Sequence, residues 1–554
     1  MPKDRRSSNS EVYAEVEQLR AQNEALQTRL YALQSAHRVL QGEDEEYSAL
    51  RHRVREIVRA RIPSDATVLV MSKGDAELVD LYGREAWHFP RQADGRYAGF
   101  YPKRSISAVA HREAMRARGA AYLVIPETSR WWLEHYPDFG THLERYQAVV
   151  DEPETCVIVA IDEPIERLDD PVARLEQALD DHQPFLGEDP AILDCDTGVS
   201  LKAAFPKRTV FSPPTDDPTL PYLDASVDVV VVLSDEAAVL DEARRVAAKL
   251  VVDLGSAGGR KDEHWLEWKS PPEKASVPSV SIVIPCHNGL SYTRACLHTL
   301  TETLPAWFRG EIVVVDDASS DGTAEFLASL RKKDPRVKVV RNRSNGGFLA
   351  ACNAGAKAAK SDYLLFLNND TVLLPGWLPP LLAVFDERPD AGVVGGKLLF
   401  EDGTLQEAGG VVFSDGSAAK VGYFDPDVEA PLYQHVRETD YVSGAFLMTP
   451  RELFNEIGGL DPLYGFGYYD DDDYCFAVWA SGRRVYYQPE SVIVHVEGAS
   501  AGTDLSEGLK KSQVANQALF IEKWKRELAK KPVRLDPSPL DWATAFAVTG
   551  GAGS

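Results

Sequence analysis

The sequence has few cysteines, and it has no long uncharged apolar run. Six cysteines are scattered along the chain and none forms a Cys-x-x-Cys pair, so we expect buried free thiols in a reducing compartment. No window approaches the roughly 18 apolar residues of a membrane-spanning helix. The first residues, Met-Pro-Lys-Asp-Arg-Arg, lead into a charged segment, unlike a signal peptide. The sequence therefore predicts a cytoplasmic protein, and any contact with the inner face of the membrane would be peripheral.

The chain also has far fewer positively than negatively charged residues. Lysine and arginine number 60 against 85 acidic residues, a net charge of −25. A general nucleic-acid binder needs a basic face for phosphates, so we expect no nucleic-acid partner. Because 554 residues exceed what one hydrophobic core accommodates, we expect about three or four folding units.

A heptad pattern runs through residues 10–40. Positions a would hold Val16, Asn23, Leu30 and His37, and positions d would hold Val12, Leu19, Leu26, Leu33 and Leu40. Leucine at d with a single asparagine at a favours a parallel two-stranded coiled coil. We therefore predict a helical, coiled-coil segment over 1–62 that makes the protein a homodimer. The alternative is a lone amphipathic helix packed on its own protein.

Residues 63–170 are predicted to form a small accessory α/β domain. Apolar runs at 67–71, 121–125 and 156–160 are typical of strands. Many aromatic residues lie between these runs. They would form either a platform for the apolar faces of a sugar or a set of core and loop anchors.

Residues 171–268 are predicted to form a second α/β domain, with strands in 191–198 and 223–232. This stretch resembles the Rossmann-like fold of S-adenosylmethionine-dependent methyltransferases. Those enzymes place a glycine-rich turn after the first strand, whereas the turn here has one glycine, Gly198. The resemblance implies a degenerate domain without a cofactor. An active methyltransferase unit, which would make the protein bifunctional, is the alternative.

The C-terminal part, 276–530, carries polar side chains where apolar runs end. Carboxylates close the runs at 313–317 and 364–370, four aspartates follow Tyr469, and His495 ends another run. Strand-like and helix-like segments alternate through the first half of this region, which predicts a parallel, doubly wound sheet. Such sheets bind ligands at the carboxyl ends of their strands. A short tail, 531–554, follows.

Seven motifs in this region carry a family resemblance. In chain order they are Val-Ser-Ile-Val-Ile-Pro-Cys-His-Asn288, Val-Val-Asp-Asp-Ala-Ser-Ser-Asp-Gly-Thr323, Asn-Gly-Gly-Phe-Leu-Ala-Ala-Cys-Asn-Ala-Gly355, Leu-Asn-Asn-Asp-Thr371, Gly-Gly-Leu-Asp461, Asp-Asp-Asp-Asp473 and His-Val-Glu-Gly498. Together they resemble glycosyltransferase family 2, the nucleotide-sugar transferases with a GT-A fold, and most of all bacterial rhamnosyl- and hexosyltransferases of surface-glycan synthesis. The resemblance implies an α/β fold with a mixed, Rossmann-like sheet in this domain.

The resemblance also implies a donor site. Pro285, His287 and Asn288 would line the nucleotide pocket. Asp317 would accept the N3–H of uracil or thymine, although its sequence context also suits a helix N-cap. Asn345 and Asn353 would contact the sugar or the diphosphate, or would serve turn and cap chemistry instead.

The same resemblance implies a divalent cation, Mn²⁺ or Mg²⁺, beside the donor diphosphate. Asn369 and Asp370 occupy the place of the family's D-x-D motif, and Asp370 would supply most of the coordination because 368 and 369 are asparagines. His495 would be the second protein ligand. A histidine that follows a strand is otherwise usually structural.

Asp471 would be the general base of the implied reaction, taking the proton of an acceptor hydroxyl. Gly444, Asp470 and Asp473 would lie on the acceptor side. The alternative for the four aspartates is an acidic loop or a helix N-terminus, where the helix dipole stabilises them.

The sequence thus predicts a metal-dependent, inverting glycosyltransferase. Its donor would be a UDP- or dTDP-sugar and its acceptor a hydroxyl of a bacterial surface glycan or a lipid-linked precursor. The alternative is a non-catalytic pseudo-glycosyltransferase scaffold that binds glycan and recruits partners through its coiled coil. A sugar-phosphate nucleotidyltransferase is disfavoured, because no glycine-rich phosphate loop follows the first strand.

Overall fold

The computed structural model describes residues 44–92, 94–164, 192–195, 210–211, 227–232, 247–253, 266–268, 278–305, 308–496 and 511–534. Internal contacts divide the chain into two units, 1–165 and 166–554. The predicted coiled coil at 10–40 and most of the tail lie outside the described residues. None of the described helices has the length and apolar character that a membrane span requires.

The first unit contains a five-stranded sheet. Its elements are α1 (Asp44–Arg61), β1 (Thr67–Val70), β2 (Ala86–His88), α2 (Ser105–Ala117), β3 (Ala120–Pro126), α3 (Trp132–His135), α4 (Pro137–Leu143), β4 (Gln147–Glu152) and β5 (Cys156–Ala160). The strand order is β2-β1-β3-β5-β4, with β1 parallel to both of its neighbours. Helix α1 buries Leu50, Val54 and Val58, which recur every four residues, in one cluster with Val68 and Val70.

The aromatic residues of this unit divide between core and surface. Trp132 and Phe139 are buried, with ring centroids 5.7 Å apart. Tyr101 and Trp131 remain 45% and 37% exposed. Core anchoring therefore accounts for some of these aromatic residues but not for all of them.

The described part of 171–268 consists of five strands. They are β6 (Ile192–Cys195), β7 (Val210–Phe211), β8 (Val227–Val232), β9 (Ala247–Asp253) and β10 (Leu266–Trp268). They pair in the order β10-β9-β8-β6-β7, all parallel except β10. The predicted strands correspond to β6 and β8, whereas the turn with Gly198 lies outside the described residues.

A ten-stranded mixed sheet forms the centre of the C-terminal region. Its strands are β11 (Val280–Cys286), β12 (Gly310–Asp316), β13 (Val337–Arg341), β14 (Tyr363–Leu367), β15 (Thr371–Leu373), β16 (Ala391–Leu399), β17 (Leu405–Glu407), β20 (Arg437–Glu438), β21 (Phe446–Pro450) and β22 (Arg484–His495). A separate hairpin pairs β18 (Gly410–Val412) with β19 (Ala418–Lys420). The helices are α5 (Leu290–Thr303), α6 (Thr323–Lys333), α7 (Gly347–Ala358), α8 (Leu378–Glu387), α9 (Arg451–Ile457), α10 (Asp470–Ala480), α11 (Lys511–Lys523) and α12 (Lys525–Leu528).

The main strand order is β13-β12-β11-β14-β21-β16-β22-β15. The first four strands are parallel, as the alternation of strands and helices predicts. Beyond β14 the sheet becomes mixed, because β21 pairs antiparallel with both β14 and β16. The implied α/β fold class with a mixed sheet is confirmed.

Strand β11 shows how the sheet is buried on both faces. Ile282 and Ile284 belong to one hydrophobic cluster and Val283 to the other. All seven residues of β11 are buried, which requires the near-continuous apolar run from which the strand was predicted. The cysteines that the structure describes, at 156, 286, 296, 352 and 475, are buried and free, as expected.

Strand register brings the predicted site residues to one edge of the sheet. Cys286 pairs with Asp316, so His287 and Asp317 both follow directly where parallel strands end. On the other side, the antiparallel pairing of Thr371 with His495 puts Asp370 beside that histidine. The carboxyl edge of the parallel strands and the end of β22 therefore meet at a common site.

Candidate active site

Asp317 is buried and binds the N-terminus of a helix. Its Oδ2 accepts hydrogen bonds from the backbone N–H groups of Gly346 and Gly347, both at 2.9 Å. Its Oδ1 accepts one from Asn342 Nδ2 at 2.7 Å. The capping alternative is therefore realised, but on α7 rather than on the helix that directly follows Asp317. Oδ1 keeps acceptor capacity for a further donor.

His287 and Asn288 connect the turns after β11 and β12. His287 Nδ1 donates to the backbone carbonyl of Asp317 at 2.6 Å. The backbone N–H of Asn288 donates to Ser319 Oγ at 2.8 Å, and Asn288 Oδ1 accepts from the backbone N–H of Ser320 at 2.8 Å. These bonds hold His287 half-buried beside Asp317, whereas Pro285 is buried within β11 itself.

The two predicted donor-site asparagines make local contacts. Asn345 Oδ1 accepts from the backbone N–H of Gly347 at 3.0 Å, which adds to the α7 cap. Both polar atoms of the Asn353 side chain bind the backbone of Leu460, Nδ2 to its carbonyl at 2.8 Å and Oδ1 to its N–H at 3.0 Å. This geometry favours turn and cap chemistry for both asparagines. Their contact with a donor stays a prediction.

Asp370 and His495 face each other, both less than 10% exposed as whole residues. Asp370 Oδ1 lies 3.3 Å from His495 Nε2, and within the described residues it accepts no hydrogen bond. His495 Nδ1 donates to Gln406 Oε1 at 2.8 Å, so the Nε2 lone pair points towards the carboxylate. Two acceptor atoms this close indicate that a cation or a proton belongs between them.

The side chain of Asn368 lies beside the Asp370–His495 pair, whereas the side chain of Asn369 is directed away from that pair. Asn368 Nδ2 is 3.2 Å from His495 Nε2, and its buried Oδ1 has no partner among the residues described. Asn369 Nδ2 instead donates to Thr293 Oγ1 on α5 at 2.9 Å. The side chain of Asn369 is therefore buried against α5 and does not face the Asp370–His495 pair.

The donor atoms fit a divalent cation. Asp370 and Asn368 offer unpartnered buried oxygens, and His495 offers a nitrogen that Gln406 orients, a set that suits Mn²⁺ or Mg²⁺. In the part of the chain that the structure describes, no group of three or more His, Cys, Asp or Glu side chains is arranged to hold a metal. The ligand set would therefore depend on the Asn368 amide and on oxygens from outside the protein.

Asp471 lies in the first turn of α10 and is only partly buried. Its Oδ2 accepts a hydrogen bond from the backbone N–H of Gly444 at 2.9 Å. A Cβ on Gly444 would lie 3.4 Å from both the Cβ of Asp471 and the ring of Phe348. These are ordinary van der Waals distances, so Gly444, Asp471 and Phe348 lie in direct proximity without a steric need for glycine at 444.

The other aspartates of the cluster have different surroundings. Burial, and secondarily the charge of Asp471, raises the pKa of Asp470 to about 8. Burial followed by the same charge raises the pKa of Asp472. Asp473 accepts hydrogen bonds from Tyr464, Trp524 and Lys523 at 2.9, 2.7 and 2.8 Å. Both of its oxygens are therefore engaged by side chains from other parts of the domain. Only Asp471 combines partial exposure with a place beside Gly444.

Backbone contacts join these parts into one site. The backbone N–H of Asn368 donates to the carbonyl of Ala445 at 3.0 Å, and Ala445 follows the glycine that holds Asp471. Phe348, in the first turn of the helix that Asp317 caps, packs near the same glycine. Asp317, the Asp370–His495 pair and Asp471 therefore surround a common region.

Comparison with known proteins identifies a family for part of the C-terminal region. Residues 281–454 match the family model Glycosyl transferase family 2. This chain carries a glycosyl transferase family 2 domain. The resemblance stated from the motifs is thereby confirmed, although Asp471 and His495 lie beyond the matched segment.

Two bacterial relatives of the glycosyl transferase family 2 domain are longer than this chain, and the match spans only part of their length. The protein y4gI of Sinorhizobium fredii is 32% identical over 231 residues, 41% of this chain and 25% of that protein. The O-antigen biosynthesis protein RfbC of Myxococcus xanthus is 32% identical over 238 residues, 41% of this chain and 18% of that protein. The crystal structure of GalNAc-T7 with UDP, GalNAc and Mn²⁺ covers 48% of this chain and 51% of its own, at 19% identity and a TM-score of 0.39, too low to support an argument.

Two residues of the family 2 domain that sequence reasoning missed lie side by side on β17. Gln406 orients His495, as described above. Glu407 is 1% exposed, and its Oε1 accepts a hydrogen bond from the backbone N–H of Ser443 at 2.8 Å. Burial, with a smaller contribution from the charge of Asp471, raises the pKa of Glu407 to about 7. Their signal in the sequence, a Leu-Gln-Glu tripeptide, is too short to predict a strand.

Proposed function

We propose that this chain is a metal-dependent, inverting glycosyltransferase. It would move a sugar from a UDP- or dTDP-linked donor to a hydroxyl of a bacterial surface glycan or of its lipid-linked precursor. The observation that carries the proposal is the hydrogen bond from Gly444 to Asp471 Oδ2 at 2.9 Å. It holds a partly exposed carboxylate in a family 2 domain, beside the turn that carries the buried Asp370–His495 pair.

The donor side rests on Asp317 and on the turns around it. With one bond on Oδ1, the carboxylate has a lone pair for the N3–H of uracil or thymine. Asp370, His495 and Asn368 would hold the cation, which when bound offsets negative charge on the departing nucleoside diphosphate.

The acceptor side rests on Asp471. As the acceptor hydroxyl oxygen bonds to the anomeric carbon, its proton passes to the Asp471 carboxylate. The bond from the anomeric carbon to the diphosphate oxygen breaks with its electron pair on the nucleoside diphosphate. One displacement from the opposite face inverts the anomeric configuration, without a covalent sugar–enzyme intermediate.

The similarity to an O-antigen biosynthesis protein supports a surface glycan as the acceptor class. Within this proposal, 63–170 and 171–268 are accessory domains, 276–530 is the transferase domain and 10–40 makes the homodimer. Light scattering of the full chain and of a form that lacks residues 1–43 measures whether residues 10–40 make the homodimer. Equal masses per particle, after allowance for the deletion, would rule out the coiled-coil dimer.

A screen of nucleotide sugars tests the main proposal. We expect one UDP- or dTDP-sugar to raise the midpoint of thermal unfolding in the presence of Mn²⁺. That donor should then support transfer and release of nucleoside diphosphate with a surface-glycan acceptor. Donor binding without transfer to any such acceptor would favour the scaffold alternative, and no binding of any donor would overturn the proposal.

A further inference from the structure

Helix α11 binds the backbone that precedes the four aspartates. Asn516, on its buried face, is 6% exposed. Its Nδ2 donates to the carbonyls of Tyr464, Gly467 and Tyr468 at 2.8, 2.8 and 3.0 Å. An amide group has two hydrogens, so at least one is shared between carbonyls. One side chain therefore gathers three carbonyl groups of a single turn.

The backbone at this turn is in a rarely adopted conformation. Gly467 has φ +136°, and Tyr468 and Tyr469 have φ +70° and +66°. Two successive bulky residues in the left-handed region are unusual, because each Cβ crowds its own backbone. Such a conformation persists only where surrounding contacts enforce it, and such places cluster at functional sites.

The strained pair leads directly into α10, whose second residue is Asp471. On the other side, Lys523 Nζ and Trp524 Nε1 hold Asp473 at 2.8 and 2.7 Å. The ring of Tyr469 also packs on Phe520 of α11, with centroids 5.3 Å apart. Asp471 thus lies between two points that the C-terminal helices hold.

We propose that Asn516 is a positioning residue for Asp471, an inference that rests on the proposed function. By gathering the three carbonyls, Asn516 keeps Tyr468 and Tyr469 in the left-handed region. That conformation fixes where α10 begins and which way Asp471 faces. Asn516 is buried and its amide binds backbone carbonyls of 464–468, away from the residues of the proposed donor site. Its loss should therefore slow the chemical step without weakening donor binding.

Four variants test this role. Asn516→Ala removes the donor group, Asn516→Asp replaces it with a carboxylate of the same shape that repels the carbonyls, and Asn516→Gln keeps the amide one methylene further out. Val514→Ala, on the exposed side of the same helix, is the matched control. Displacement of a catalytic group by about 1 Å costs roughly 100-fold in rate. We therefore expect kcat to fall about 10- to 100-fold in Asn516→Ala and Asn516→Asp, and by less in Asn516→Gln, with the donor KM unchanged.

Hydrogen exchange provides a readout that does not need activity. We expect the backbone amides of 465–471 to exchange faster in Asn516→Ala than in the wild type, while Val514→Ala matches the wild type. Wild-type kcat and unchanged exchange in Asn516→Ala would overturn the positioning role. If that variant does not fold, the same result in Asn516→Gln overturns it. A wild-type chain without transfer, with exchange still faster in the variant, would instead reject the proposed function and leave the loop-holding role standing.

Discussion

Glu407 and Asp471 accept hydrogen bonds from consecutive backbone amides. The N–H of Ser443 donates to Glu407 Oε1 at 2.8 Å, and the N–H of Gly444 donates to Asp471 Oδ2 at 2.9 Å. The second oxygen of Glu407 is buried and has no partner among the described residues. A proton on this oxygen would remove the negative charge of Glu407 from the neighbourhood of Asp471.

Glu407 should make the stability of the protein depend on pH. Burial raises its pKa from the ordinary 4.5 to about 7, so the folded chain holds this proton more tightly than the unfolded chain does. Its contribution is complete below about pH 4.5 and is lost as the pH rises to about 7. We expect the difference in free energy of unfolding between wild type and Glu407→Gln to fall by up to about 3 kcal/mol over that interval.

Urea unfolding at several pH values from 4.5 to 8 measures this difference. The variant Glu456→Gln, at an exposed position of α9, is the matched control. Parallel stability curves for the wild type and Glu407→Gln would contradict the prediction.

Asp471→Asn should abolish catalysis while it preserves structure. The amide oxygen can still accept the Gly444 N–H, but the side chain can no longer take a proton. We expect kcat to fall about 10²- to 10⁴-fold with donor affinity unchanged. Single-turnover transfer and donor titration by calorimetry measure the two effects, and near-wild-type turnover would remove Asp471 from the role of base.

Asp473→Asn, unlike Asp471→Asn, should lower the stability of the protein more than its catalytic rate. The Asp473 carboxylate is buried and accepts a hydrogen bond from the Lys523 ammonium, and bonds to charged groups contribute more than neutral ones. We expect a loss of about 1.5 to 3 kcal/mol in the free energy of unfolding, together with a smaller loss of kcat than in Asp471→Asn. Equal stability in the two variants would contradict this division of roles.

Gln406→Leu should weaken metal binding without touching a ligand. Gln406 fixes the protonated nitrogen of His495 and in turn donates to the carbonyl of that histidine at 3.3 Å. Loss of such an orienting partner typically costs about 10- to 100-fold in metal affinity. Titration with Mn²⁺ by calorimetry measures the effect.

A buried glutamine elsewhere in the domain serves as its control. Gln488 donates to the carbonyl of Pro380 at 3.1 Å, so Gln488→Leu removes a comparable bond at another place. Equal Mn²⁺ affinities in the two variants would contradict the orienting role of Gln406.

Glu113 should stabilise the first unit through a buried ion cluster. It contacts Arg112, Arg116 and His142, all less than 10% exposed. Burial alone would raise the pKa of Glu113, but Arg112, His142 and Arg116 together lower it. Removal of the carboxylate leaves buried cations uncompensated, so Glu113→Ala should cost about 3 to 5 kcal/mol. Asp94→Ala, which breaks the exposed Arg96 pair, should cost about 1 kcal/mol or less, and similar losses in urea unfolding would contradict this contrast.

The sequence predicted the parallel half of the large sheet because its strands are buried apolar runs separated by helical segments. Asp317 and Asp370 follow such runs directly, so their place at the strand ends was foreseeable. The proximity of Asp370 to His495 came from the family resemblance alone. It depends on the pairing of two strands far apart in the chain, which local patterns do not encode.

Other features had no local signal. Gln406 and Glu407 lie on a strand of three residues, and the contacts of Asn516 cross about 50 residues of chain to a turn whose conformation no pattern indicates. Asn353 shows the converse. It lies within a recognisable motif, yet its side chain binds the backbone of Leu460.

The contacts made by 511–534 decide how short an independently useful fragment could be. The carbonyl of Pro532 accepts from the backbone N–H of Ser414 at 2.9 Å, and Lys531 binds Asp440. A fragment cut at residue 500 would retain the matched family segment and every site residue that the motifs predict. It would nevertheless lose Lys523 and Trp524, two of the three side chains that donate to Asp473. Screens of truncated forms should therefore set their C-terminal boundary no earlier than residue 534.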